Sequence, residues 1–134
     1  MCADLINERH SGFSLADLGC RTMELKPLLV GCNKYIGTDL MPGEGVVQCD
    51  LEQGLQHFPS NSYDVVVALD VLEHLENCHE MFQEMIRVSR RSVYISLPNM
   101  YHFIFRLRFM FKGNLSGKYD FPVERILDRH RWVL

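Results

Sequence analysis

The amino-acid sequence predicts an α/β protein with a doubly wound, mostly parallel sheet. Apolar runs of strand length alternate along the chain with polar or helix-length segments, which is the order that a parallel sheet requires. The run Tyr63–Leu69 is almost continuously apolar and rich in valine, as expected of a strand that is buried on both faces. Acidic residues follow the ends of several runs, at the edge where ligands bind in open α/β sheets.

Five strands are predicted, at Phe13–Leu18, Tyr35–Thr38, Val46–Cys49, Tyr63–Leu69 and Ser92–Leu97. Right-handed crossovers would place them in one parallel sheet in the spatial order 3-2-1-4-5. Between the first two strands, Thr22–Val30 contains helix-forming residues and predicts a helix that starts late or kinks at Pro27. Only Leu40–Gly45 separates the second and third strands, so this crossover must be an extended link without a helix.

Two further helices are predicted in the second half of the chain. Asn77 is a candidate N-cap for a helix whose apolar face comprises Met81, Phe82, Met85 and Ile86. The segment Tyr101–Phe111 is apolar at almost every position, so periodicity alone does not separate helix from strand, and we favour a helix with an aromatic face. We expect a second copy, a protein partner or a lipid to cover this face, and internal packing is the simpler alternative.

Composition limits the class of protein. The 134 residues suit one domain, and 47% hydrophobic with 23% charged residues is ordinary globular composition. A net charge of −3 offers no basic surface for nucleic acid, which favours a small-molecule or protein partner. Five cysteines without a CxxC pair, no signal peptide and no apolar run long enough to span a bilayer indicate the cytoplasm.

Three carboxylates lie where strands are predicted to end, at Asp17, Asp39 and Asp50. Asp39 follows Gly19 by about the spacing at which an acid accepts hydrogen bonds from both ribose hydroxyls of a nucleoside cofactor. The alternative is that each acid only caps a turn or a helix.

Four motifs carry a family resemblance: LADLGC (15–20), YIGTDL (35–40), CDLEQGL (49–55) and SYDVVVALDVLEHL (62–75). With them the chain resembles the Rossmann-like class I S-adenosylmethionine-dependent methyltransferases. The further stretches FPSNSYD and RVSRRSVYISLPN make it most similar to the MetW group of methionine biosynthesis proteins. An NAD site is disfavoured because NAD needs a phosphate-binding G-x-G-x-x-G turn.

The resemblance implies an S-adenosylmethionine site formed by Asp17, Gly19, Cys20, Asp39, Leu40, Asp50, Leu51 and Asp70. Asp17 and Gly19 would line the methionine end of the cofactor and Asp39 the ribose. Asp50 with Leu51 would flank the adenine, and Asp70 would border the methyl group and substrate.

The chain also departs from the family pattern. Arg21 and Met23 stand where the family's glycine loop has its second and third glycines, which would crowd the loop and add a positive charge. The chain ends where the family continues into a helix and an antiparallel strand pair. We therefore expect residues 1–134 to be a single methyltransferase-like domain that is truncated at its C-terminus.

Glu73 and His74 are the candidate catalytic residues, because they follow the fourth strand at the ligand-binding edge. The alternative is that they belong to a connecting turn. A metal site of Asp70, Glu73, His74 and His130 would be similar to that of small-RNA 2′-O-methyltransferases. Such a site depends on ligand geometry that a sequence does not show, and the acidic balance disfavours RNA, so no metal is predicted.

Two functions remain open. The first is methyl transfer from S-adenosylmethionine to a small-molecule acceptor. The second is a non-catalytic binding or regulatory module with a partner in methionine metabolism.

Overall fold

The computed structural model describes residues 2–99 and 102–113. Its sheet consists of β1 (Phe13–Leu18), β2 (Cys32–Asp39), β3 (Val46–Gln48), β4 (Tyr63–Leu69) and β5 (Ser89–Ser96). The strands lie in the order β3-β2-β1-β4-β5, and every neighbouring pair is parallel. This is the Rossmann-like arrangement that the sequence predicts.

Both faces of the sheet are covered, because neighbouring residues of the central strands point to opposite sides. Leu15 and Val65 pack with the helix α1 (Cys2–Arg9), which inserts Ile6. Val66 packs on the other face with the helix α2 (Cys78–Val88). The apolar runs of β1 and β4 are therefore central strands between two layers. The sequence did not predict α1, because only two of its eight residues, Leu5 and Ile6, carry large apolar side chains.

The predicted helix over Thr22–Val30 is wrong. Turns followed by a single 3-10 turn at Lys26–Leu28 replace it. The side-chain amide of Asn7 donates to Leu28 O and accepts from Val30 N–H, which takes up backbone groups at the end of this segment. The long strand β2 also begins at Cys32, before the predicted Tyr35, and shortens the room for a helix.

The six-residue link between β2 and β3 is confirmed, and the register explains how it closes. Val46 pairs with Gly37, so β3 lies only beside the last three residues of β2. The chain has to return by about two strand steps, or roughly 7 Å, and six residues can span that distance without a helix. Gly45, with φ of 72°, turns the chain into β3.

The two later helices form where the sequence predicts them. Asn77 occupies the N-cap position of α2, but its side chain donates to Leu51 O and Glu52 O instead of capping the helix. Met81 and Met85 are buried, whereas the predicted core residues Phe82 and Ile86 are exposed because only one side of α2 contacts the sheet.

Helix α3 (Phe103–Lys112) confirms the helical interpretation of the aromatic segment, of which Tyr101 lies outside the described residues. None of its side chains is buried, and Phe103 and Phe111 are 68% and 78% exposed. Among the described helices, none is long and apolar enough to cross a membrane. All five cysteines are free thiols.

Candidate functional site

The carboxyl ends of β1, β2 and β4 meet at one edge of the sheet. Leu18 of β1 pairs with Thr38 of β2 on one side and with Ala68 of β4 on the other. The residues that follow these strands therefore lie at this edge, including three of the predicted site residues, Gly19, Asp39 and Asp70. We call it the acidic edge.

Asp17 lies just inside the acidic edge and is 4% exposed. The Tyr35 hydroxyl donates a hydrogen bond to its Oδ2. Among the described residues, none donates a hydrogen bond to its Oδ1. Burial raises the pKa of Asp17 to about 6, against the lowering effect of the Tyr35 hydrogen bond, and Asp39 raises it further. The carboxylate therefore keeps Oδ1 as an acceptor that a ligand can use.

The loop after β1 is fastened to β2. The backbone N–H groups of Gly19 and Cys20 both donate to Thr38 O, at 2.8 and 2.9 Å. Gly19 has φ of 72°, and a Cβ there would lie 2.5 Å from Val71 Cγ2. Only glycine fits this position, because both the backbone angle and the Val71 side chain exclude a larger residue.

Arg21 and Met23 keep the backbone shape of a glycine loop without being glycines. Their φ angles are 47° and 56°, in the left-handed region that glycine adopts without strain. The Met23 side chain lies over Gly37 and reaches Gly45, where added Cβ atoms would be 3.1 and 3.3 Å from its Cγ and Cε. The side chains of this loop occupy space that a glycine loop leaves open.

Asp39 ties three segments together at the end of β2. Its Oδ2 accepts from Arg21 N–H at 2.9 Å, and its Oδ1 accepts from Met41 N–H at 3.0 Å. Each carboxylate oxygen has two acceptor sites, so both can also accept a ligand hydroxyl. Leu40 is exposed beside it, and the Leu40 carbonyl accepts from Gln48 Nε2.

Asp50 and Leu51 lie after β3. Asp50 caps the 3-10 turn Leu51–Gln53, since its Oδ1 accepts from Glu52 N–H and its Oδ2 from Gln53 Nε2. The Leu51 side chain is buried in the core on the α2 side of the sheet. The capping role is the alternative that the sequence offers for Asp50, and the adenine contact stays a prediction.

Asp70 follows β4 in a left-handed conformation, with φ of 54°. Ser96 at the end of β5 holds it on both sides, because its Oγ donates to Asp70 Oδ1 at 2.8 Å and accepts from Asp70 N–H at 3.0 Å. A left-handed non-glycine residue at a ligand edge is a form of strain that is often associated with function.

Glu73 and His74 lie in the 3-10 turn Leu72–His74. Glu73 is buried, with a side chain that is 1% exposed, whereas His74 is 23% exposed and its Nε2 lies 3.9 Å from Glu73 Oε1. Of the two predicted catalytic residues, His74 is therefore the one that a substrate can reach. Within residues 2–99 and 102–113, no group of three or more His, Cys, Asp or Glu side chains is placed to hold a metal ion, and His130 lies outside the described residues.

Sequence reasoning missed Tyr35, Thr38, Val71 and Ser96 as parts of the site. A signal for Tyr35 does exist. In the predicted sheet order Tyr35 lies on the strand next to Asp17, and the observed register, Leu15 with Tyr35 and Asp17 with Gly37, puts the two side chains on one face. No comparable pattern marks Val71 or Ser96.

A family model for methionine biosynthesis protein MetW matches residues 5–126. Among curated proteins, the bifunctional methionine biosynthesis protein MetXA/MetW of Rhodopirellula baltica is 33% identical over 84 residues. The alignment covers 60% of this chain and 13% of that longer relative.

Solved structures share the architecture. A Bacillus halodurans C-125 protein assigned as a methyltransferase superposes with a TM-score of 0.60 at 16% identity, over 83% of this chain and 57% of that chain. The trans-methyltransferase CalH, in complex with SAH, gives a TM-score of 0.56 at 18% identity, over 81% of this chain and 38% of that chain. At such identities the likeness establishes a common fold alone.

Proposed function

Because this chain belongs to the MetW family of methionine biosynthesis proteins, we propose that it binds S-adenosylmethionine at the acidic edge and transfers the methyl group to a small-molecule acceptor. The observation that carries the proposal is the convergence of Asp17, Gly19 and Asp39 at one edge, joined by hydrogen bonds between the β1 loop and β2. Two carboxylates on adjacent strands beside a left-handed loop suit a nucleoside that bears an amino acid.

The residues present fit the cofactor on two observations. Asp17 Oδ1 is an acceptor in a buried side chain that no described residue satisfies, and such an atom favours a ligand donor. The loop already has the backbone shape that a glycine loop provides, with positive φ at Gly19, Arg21 and Met23. In this proposal Asp39 holds the ribose, Asp17, Gly19 and Cys20 the methionine end, and Leu40 the neighbouring wall.

The remaining predicted residues complete the proposed site. Asp50 and Leu51 lie on the adenine side and Asp70 on the side of the acceptor. When bound, S-adenosylmethionine supplies a methyl group on a sulfonium that leaves readily, so the protein mainly has to align the acceptor. If the acceptor must lose a proton, the partly exposed His74 is the group that takes it, with Glu73 beside it. We propose that the protein resides in the cytoplasm, and five cysteines without a disulfide support this location.

Calorimetric titration with S-adenosylmethionine and S-adenosylhomocysteine tests this function. The wild-type protein should bind both, and Asp39→Asn should weaken both at least tenfold. The reason is that a neutral amide loses charge-assisted bonds to the ribose, each worth about 1.5–3 kcal/mol. Asparagine keeps an acceptor oxygen for only one of the two backbone N–H groups that Asp39 holds, so circular dichroism of the variant has to show that the fold survives.

Glu44→Gln is the matched control, since it removes one negative charge from the exposed β2–β3 link. Its affinities should equal those of the wild type. A wild-type protein that binds neither compound at ~1 mM would contradict the proposal.

A second candidate function is a non-catalytic module that binds the nucleoside and acts on a partner protein. Met23 favours it, because its side chain fills space between the loop and Gly45. The joining of MetXA and MetW names in one relative suggests a partner in methionine biosynthesis. This candidate predicts binding without turnover, and Arg21→Gly with Met23→Gly should then raise affinity without producing methyl transfer.

A further inference from the structure

The contact between Tyr35 and Asp17 joins β2 to the base of the acidic edge. Tyr35 lies two residues before Gly37, which is the residue that pairs with Asp17. Its hydroxyl donates to Asp17 Oδ2, which leaves Oδ1 as the oxygen that no described residue satisfies. The hydrogen bond fixes the rotation of the carboxylate and so decides which oxygen is available.

We propose that Tyr35 is a positioning residue that orients Asp17 Oδ1 toward the α-ammonium group of an amino-acid-bearing nucleoside. This inference rests on the binding function proposed above and adds to it the residue that determines preference for ligands with an amino acid. A buried carboxylate with an unmet acceptor favours a cationic donor over a neutral one, because a positive charge also offsets the cost of burial.

The groups around Asp17 explain why the Tyr35 hydroxyl is needed to keep the carboxylate ionised. Burial raises the pKa of the Cys2 and Cys20 thiols, and Asp17 lies close enough to raise both further. Asp39 is a second acid near Asp17. The Lys26 ammonium lies over the Tyr35 ring, 5.6 Å from its centroid. Burial and Asp39 favour the protonated carboxyl, and the Tyr35 hydroxyl is the hydrogen-bond donor that favours the ionised form.

The experiment compares two probes in calorimetric titrations between about pH 5.5 and pH 8.5, chosen to bracket the Asp17 transition. S-adenosylhomocysteine carries the α-ammonium group, whereas 5′-methylthioadenosine has the same nucleoside and sulfur without the amino acid. At pH 7, Tyr35→Phe should weaken S-adenosylhomocysteine about tenfold or more and leave 5′-methylthioadenosine within about twofold. The loss of S-adenosylhomocysteine affinity on acidification, centred near the Asp17 pKa of about 6 in the wild type, should move to higher pH in the variant.

Tyr94→Phe is the matched control. Tyr94 packs in the same apolar cluster as Tyr35, and its hydroxyl contacts His10 Nε2 at 3.2 Å, not Asp17. This variant should bind both probes as the wild type does. Asp17→Asn should reproduce the selective loss of Tyr35→Phe and abolish its pH dependence.

The possible failures are distinguishable. Equal weakening of both probes by Tyr35→Phe, or an unchanged pH profile, would overturn the role of Tyr35 while leaving nucleoside binding in place. A wild-type protein that binds neither probe would overturn the binding function and this inference together. Circular dichroism of each variant identifies any loss of fold.

Discussion

Left-handed backbone at three non-glycine residues is concentrated at the acidic edge. Arg21, Met23 and Asp70 have φ angles of 47°, 56° and 54°. Each conformation costs roughly 1 kcal/mol for a residue with a side chain. Local hydrogen bonds hold them, from Arg21 N–H to Asp39 Oδ2, from Met23 N–H to Cys20 O and between Asp70 and Ser96. The loop therefore keeps its shape at the expense of stability.

Arg21→Gly should stabilise the protein relative to Arg21→Ala by about 1 kcal/mol. Both variants remove the exposed guanidinium, but only glycine adopts the left-handed angle without strain. Urea denaturation of the two variants measures the difference. Thr22→Gly, at a neighbouring position without positive φ, serves as the control and should be destabilising. An Arg21→Gly protein no more stable than Arg21→Ala would show that the loop relaxes when its side chain is removed.

Asp17→Asn should be more stable than the wild type at alkaline pH by about 3 kcal/mol and equal to it near pH 4. Burial raises the pKa of Asp17 from 3.8 to about 6, so between these values the folded protein holds a proton that the unfolded chain releases. Stability of the wild type therefore falls as pH rises through this window and stays lower above pH 6. Denaturation midpoints from pH 4 to pH 8 test this, and a difference that does not change with pH would contradict it.

Among the described helices, α3 differs from α1 and α2 in that it buries no side chain. Replacing Phe103 and Phe111 by glutamine should therefore leave the thermal midpoint within about 2 °C of the wild type, since no core contact is lost. The same change should reduce self-association or detergent binding in sedimentation velocity, because large exposed aromatic side chains favour a covering partner. A wild-type monomer whose midpoint falls sharply on substitution would indicate internal packing.

The strands were predictable because burial on both faces leaves an unmistakable apolar run in β1 and β4. The start of β2 was not predictable, because Asn33 and Lys34 are exposed polar residues, and Asn33 lies at a register shift where Cys32 pairs with Phe13 and Lys34 with Ser14. The expected helix over Thr22–Val30 failed for a related reason. The helix propensity of this segment is outweighed by the hydrogen bonds that Asn7 of α1 makes with Leu28 and Val30. A local sequence pattern does not show contacts between residues that are so far apart in the chain.

The candidate site was predictable in position but not in detail. Parallel strands bring their carboxyl ends together, so Asp17, Gly19, Asp39 and Asp70 could be assigned to one edge from the strand order alone. The burial of Glu73 could not be predicted, since the turn after β4 has no periodicity that separates inward-facing from outward-facing residues.

Protection against hydrogen exchange should follow the layering of the whole molecule. Val65, Val66 and Val67 are fully buried in a strand paired on both sides, so β4 should open only with global unfolding. Strand β3 is short, lies at the edge and exposes Val47, so its amides should exchange orders of magnitude faster. Exchange measured by mass spectrometry tests the gradient, and equal protection of β3 and β4 would contradict it.

The short return from β2 to β3 couples Asp39, the residue proposed to hold the ribose, to the edge strand β3. Asp39 and Val46 are joined by only six intervening residues, and the same carboxylate also holds the backbone of Met41 within that link. In folds with a crossover helix, a long connection absorbs a small displacement at the end of the second strand. Here a ligand that displaces Asp39 also displaces the edge strand. Binding at the acidic edge should therefore reduce the mobility of β3 at the edge of the sheet.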